Sequence, residues 1–115
     1  MWYDGCMNTE NTQEDLQAAL VSNWSVPAET VATHDALLAA LTARVQDLIE
    51  HRPHKLTTAM YTLDVSEEKF TAAIALPDLE DQAEAVARLI LEREAQKVES
   101  WRQYRAMNKE ILPEN

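Results

Sequence analysis

The sequence predicts an all-α domain, a compact bundle of four or five helices closed by one long C-terminal helix. Two observations carry that prediction. Alanine and leucine dominate the apolar set while glycine occurs once, a composition that favours helix over strand and turn. Apolar residues also recur at three- and four-residue steps instead of alternating, and the breaks between the runs fall at Pro27, Pro53 and Pro77. At 115 residues the chain is long enough for one core and too short for two.

Residues 1–11 carry no hydrophobic period and read as a loose N-terminal arm. Thr12 can cap a first helix with Asp15 three positions on, and Leu16, Ala19 and Leu20 share a face before Ser25 and Pro27 end it near Trp24. From Ala28 or Thr33 a stronger stripe runs through Leu37, Leu38, Leu41, Val45, Leu48 and Ile49 and stops near His51, because Arg52 precedes Pro53. Leu56, Ala59, Met60 and Leu63 mark a third helix ending at Asp64. In "DVSEEKF" Ser66 is a cap, Glu67 and Glu68 suit a first turn, and Val65 is placed to staple Phe70, so a helix from Glu67 to Leu76 follows. After Pro77 and Asp78 the series Leu79, Ala83, Val86, Ile90, Ala95, Val98, Trp101 and Tyr104 runs uninterrupted to about Met107. The helical domain is thus 12–107, followed by a frayed tail, 108–115. The expected core is Leu37, Leu41, Val45, Leu48, Leu56, Met60, Leu63, Phe70, Ile74, Val86 and Ile90.

Composition also excludes functions. A net charge of −10 opposes nucleic acid and anionic membranes, whose affinity comes from lysine and arginine displacing counterions. The one glycine, Gly5, cannot cradle a phosphate in a strand-to-helix turn. No apolar run approaches the ~20 residues that span a bilayer, and "MWYDGCMNTE" lacks the basic and apolar parts of a signal peptide, so a cytoplasmic location is expected. Cys6 is the single cysteine and forms no intrachain disulfide or thiolate cluster; Met7 is a second candidate start.

Candidate chemistry is sparse. In "IEHRPHK" His51 and His54 are three apart, but Pro53 puts them on different helices, and a histidine near a helix C-terminus is already favoured by the dipole. No Glu-x-x-His spacing exists for a carboxylate-bridged metal pair. Ser66 is explained as a cap, and no nucleophile elbow accompanies it. Tyr61 and Asp64 are three apart near a helix end. No catalytic residue, metal ligand or cofactor is therefore assigned.

The segment "LILEREAQKVESWRQYR" is the most informative. Glu94, four residues after Ile90, interrupts the apolar stripe, as though the helix left the core there. Asp78, Glu80, Asp81 and Glu84 make the helix start acidic, whereas Arg88, Arg93, Lys97, Arg102, Arg105 and Lys109 make the rest net basic. Leu79 to Met107 would be about 43 Å long, against a radius of gyration of ~13 Å for a compact domain of this size. The helix should overhang, leaving Val98, Trp101 and Tyr104 in water.

The portion from about Leu37 to Tyr104, with "MYTLDVSEEKF" and then "LILEREAQKV", resembles small bacterial all-helical proteins having a Leu-Tyr-Arg-Ile-Asp-Val-like segment and a later Glu-Arg-x-x-Gln-Lys-like segment. Met60 and Thr62 depart from that pattern, which has leucine and arginine there. The resemblance implies a bacterial cytoplasmic protein, and it supplies neither an activity nor functional residues.

The function expected from these readings is a non-enzymatic interaction or accessory protein that presents helical surface to a protein partner. Its contact residues would be Glu94, Val98, Trp101, Arg102, Tyr104 and Arg105. The partner is expected to be a second copy, antiparallel through the C-terminal helix with each acidic start against the other's basic end, or a different protein on the same stripe. The alternative is a small metal-binding or catalytic site near Tyr61, Asp64, His51 and His54.

Overall fold

Five helices follow one another in the computed structural model: α1 (Trp2–Trp24), α2 (His34–His51), α3 (Pro53–Leu63), α4 (Glu67–Ile74) and α5 (Leu79–Ile111). It describes the backbone of residues 2–30 and 32–111 and the side chains of residues 13–30 and 32–104, and among these every regular element is helical. The boundaries have local causes. Thr33 Oγ1 accepts from the Ala36 N–H at 3.3 Å and starts α2. Arg52, with φ −142° and ψ 60°, both ends α2 and precedes Pro53 at the first position of α3, where the missing N–H costs nothing. Asp64 closes α3 in the left-handed region at φ 67°, and its N–H reaches the Met60 and Tyr61 carbonyls. Ser66 Oγ accepts from the Lys69 N–H, so α4 begins at Glu67 as expected.

The core is a single cluster. Leu16, Leu20 and Trp24 of α1, Leu37, Leu41, Val45 and Leu48 of α2, Leu56, Met60 and Leu63 of α3, and Ala83, Val86, Ala87, Ile90 and Leu91 of α5 are all buried. The longest helix, α5, packs on each of the other four, most extensively on α2. At 33 residues it is about 50 Å long, which accounts for the 52 Å long axis of the molecule and for a radius of gyration of 16.0 Å. Two contacts fix how α1 lies on it: Trp24 bonds to Glu94, and Asp15 pairs with Arg102. As α1 is followed backward, α5 is followed forward, so the two are antiparallel.

Four expectations need correction. The backbone of α1 is helical back to Trp2, so the helix does not begin at Thr12, and residues 2–11, read as a loose arm, are helical. No proline interrupts them, and extending a formed helix adds one hydrogen bond per residue fixed. The side chains of Thr12 and Cys6 lie outside the described residues. Ile74, placed in the core, is 41% exposed, because α4 stops there and turns Ala73 inward in its place. Phe70 is half-buried. Finally, α5 extends to Ile111, past Met107 and into the stretch read as a frayed tail.

Candidate interaction site

Along α5 one face is sequestered from Ala83 to Glu94 and then emerges. At 100° per residue, Trp101 and Tyr104 continue the azimuth of Ala83, Val86 and Ile90, yet they are 56% and 54% exposed. Their rings stack on each other with centroids 5.6 Å apart and planes 14° from parallel, which spreads them as one apolar plate. With Ala19 and Asn23 of α1 and with Glu94, Lys97 and Val98, they line a groove of about 740 Å³ between α1 and α5.

Glu94 does not lead the helix out of the core. It is 3% exposed, and its Oε2 accepts from the Trp24 indole N–H at 2.9 Å and from Asn23 Nδ2 at 3.3 Å. A buried carboxyl needs such donors, since an unpaired one costs several kcal/mol on an order-of-magnitude scale. The stripe interruption is therefore the point at which α1 is bolted to α5, and Glu94 is withdrawn from the set of contact residues offered to a partner. Arg102 is also committed: it pairs with Asp15 of α1 at 3.3 Å. Val98 is half-buried at the groove edge. The Arg105 side chain lies outside the described residues.

One residue of the basic end of α5, Arg102, thus has an acidic partner within the chain. The sequence of α1 carries Asp4, Glu10, Glu14 and Asp15 and neither lysine nor arginine, so an acidic helix runs antiparallel to α5, whose second half is net basic. Compared with family models, curated proteins and solved structures, the chain matches none.

The residues of the alternative site do not act together in hydrogen bonding. His51 Nδ1 lies 3.2 Å from the Asp47 carbonyl and 3.1 Å from its Oδ1 at the last turn of α2, as expected of a histidine at a helix C-terminus. His54 is exposed in the first turn of α3, and Tyr61 is 67% exposed. Asp64 sits 3.7 Å from an Arg93 nitrogen, while Arg93 Nε donates to the Leu63 carbonyl at 3.0 Å. No group of three or more His, Cys, Asp or Glu side chains among the described residues is arranged to hold a metal. Among the described residues, no helix is long and apolar enough to cross a membrane.

Val98, Trp101 and Tyr104 of the sequence-predicted contact set line this groove, together with Ala19 and Asn23, which the sequence pattern does not single out, and beside the buried Trp24. One signal was present: a glutamate on a core stripe needs a buried donor, and tryptophan is the bulky apolar residue with a donor and no acceptor.

Proposed function

We propose that this chain is a non-enzymatic interaction or accessory protein whose working surface is the groove between α1 and α5, built to receive a helical segment of a protein partner. The observation that carries the reading is the exposure of the stacked Trp101 and Tyr104 on the face that α5 buries two turns earlier, at Ile90 and Glu94. Soluble chains rarely leave contiguous apolar patches in water without a use, and aromatic side chains are the commonest binding anchors. A groove flanked by two helices suits the helix-in-groove mode, in which a partner's apolar face replaces water along several turns.

The test is a capture experiment from native cell extract with three immobilised proteins: wild type, Trp101→Glu and the control Tyr61→Glu, whose exposed aromatic lies on α3. Proteins held by wild type and control and released by Trp101→Glu are the expected result. An identical set on all three would overturn the proposal.

A further inference from the structure

We propose that the cleft between α3 and α4 binds a small aromatic amine. It shares no lining residue with the groove between α1 and α5 and does not rest on that groove's role. The two helices diverge from the turn at residues 64–66, scarcely touch each other, and lie instead against α5. Between them a cleft of about 240 Å³ stays open. Buried Met60 forms its floor, Val65, Phe70 and Ile74 wall it, and Tyr61, largely exposed, stands at its mouth. Phe70 and Ile74 are the two residues that the helical pattern assigns to the core and the fold leaves incompletely buried. Four apart, they share one face of α4, so the apolar surface withheld from the core is turned to the cleft. Its volume suits a single ring with a short chain and is too small for a helix, and thioether and aromatic side chains are favourable neighbours of a ring.

Charge selects the amine. Glu67 is the only charged side chain lining the cleft, and it has no ion pair among the described residues. Each wall carries one lysine, and both are committed to other surfaces: Lys55 of α3 lines a recess with Asn23 and Trp24, and Lys69 of α4 lines one with Asp64 and Arg93. The net charge of −10 draws a cation toward the same place and repels an anion. An ammonium group on a short chain therefore meets Glu67 at the rim while its ring enters between Met60, Phe70 and Ile74.

The experiment titrates the full chain, with its isoleucine and methionine methyl groups labelled for NMR, with phenethylamine, phenethyl alcohol and hydrocinnamate at low ionic strength. These share a ring and chain and differ in charge. Phenethylamine should shift the Ile74 methyl, assigned with Ile74→Val, and the Met60 methyl saturably, with half-saturation at about 1 mM for a ligand of this size, and should leave Ile49 and Ile90 in place. It should bind about fivefold more tightly than the alcohol, the contribution of one exposed ion pair, and hydrocinnamate should bind most weakly. Glu67→Gln should make amine and alcohol equal. Tyr61→Ala, at a side chain 67% exposed and thus with little part in folding, should weaken both about threefold. No saturable shift at Ile74 by about 10 mM amine, shifts of equal size at Ile49 and Ile90, or an amine preference that survives Glu67→Gln overturns the proposal.

Discussion

Replacing Trp24 by phenylalanine tests the bolt between α1 and α5. The indole N–H is 2.9 Å from Glu94 Oε2, and both residues are at most 5% exposed. Phenylalanine keeps most of the apolar contact but leaves the carboxyl with Asn23 at 3.3 Å. Losing a hydrogen bond to a carboxylate costs about 1.5–3 kcal/mol, and the smaller ring adds about 1 kcal/mol of lost burial and cavity, so destabilisation of roughly 2.5–4 kcal/mol is expected. Glu94→Leu removes the acceptor and the buried carboxyl together and strands the indole N–H, while the exposed Asn23 amide can turn to water, so it should cost less, about 1–3 kcal/mol. The decisive quantity is the double-mutant cycle. Because the two changes delete one shared contact, the double variant should be less destabilised than the sum by about 1–2 kcal/mol. Urea unfolding followed by circular dichroism measures all three. Additivity within about 0.5 kcal/mol would show that the two side chains do not hold α1 to α5.

Three further outcomes follow from the same contacts, each read by urea unfolding. Leu41→Ala, at a position with no exposure in the centre of α2, should cost about 3–5 kcal/mol; a loss below about 1 kcal/mol would mean the cluster is not closed around it. Ser66→Ala should cost about 0.5–1 kcal/mol, the low end for a cap because its bond to the Lys69 N–H is 3.4 Å long. Asp64→Gly should stabilise by up to about 1 kcal/mol, because φ of 67° strains any residue with a Cβ and the exposed pair with Arg93 at 3.7 Å contributes little; destabilisation would assign more to that pair.

Where a signal is local, the sequence announces it. Ser66 with Glu67 and Glu68, Thr33, and Arg52 before Pro53 each fix a helix end through backbone chemistry confined to a few residues. The leucine stripe of α2 is equally plain, since each of its inward positions is a large aliphatic. What stayed hidden depends on a neighbour distant in sequence. Val26 reads as loop beside Pro27 yet is 2% exposed, because Ser25 turns the chain in the left-handed region and the Val26 N–H returns to the Leu20 carbonyl. Serine does not advertise that conformation as glycine would. Glu94 reads as an exit from the core because the donor that satisfies it, Trp24, stands 70 positions away in the sequence. The basic end of α5 likewise suggested an external partner until α1 supplied an acidic one. Trp101 and Tyr104 were legible because helix length alone predicted an overhang.

The proposed function requires that the Trp101 and Tyr104 face of α5, exposed in the folded chain, be open to a partner. Fluorine NMR of the chain labelled with fluorotryptophan measures it directly, because the Trp101 resonance, assigned with Trp101→Phe, reports solvent contact through its shift between light and heavy water. Trp101, about half-exposed, should show a clear solvent shift and Trp24 should show almost none. A Trp101 already protected at dilution would mean that the end of α5 folds back on its own body, and the groove would lose its function.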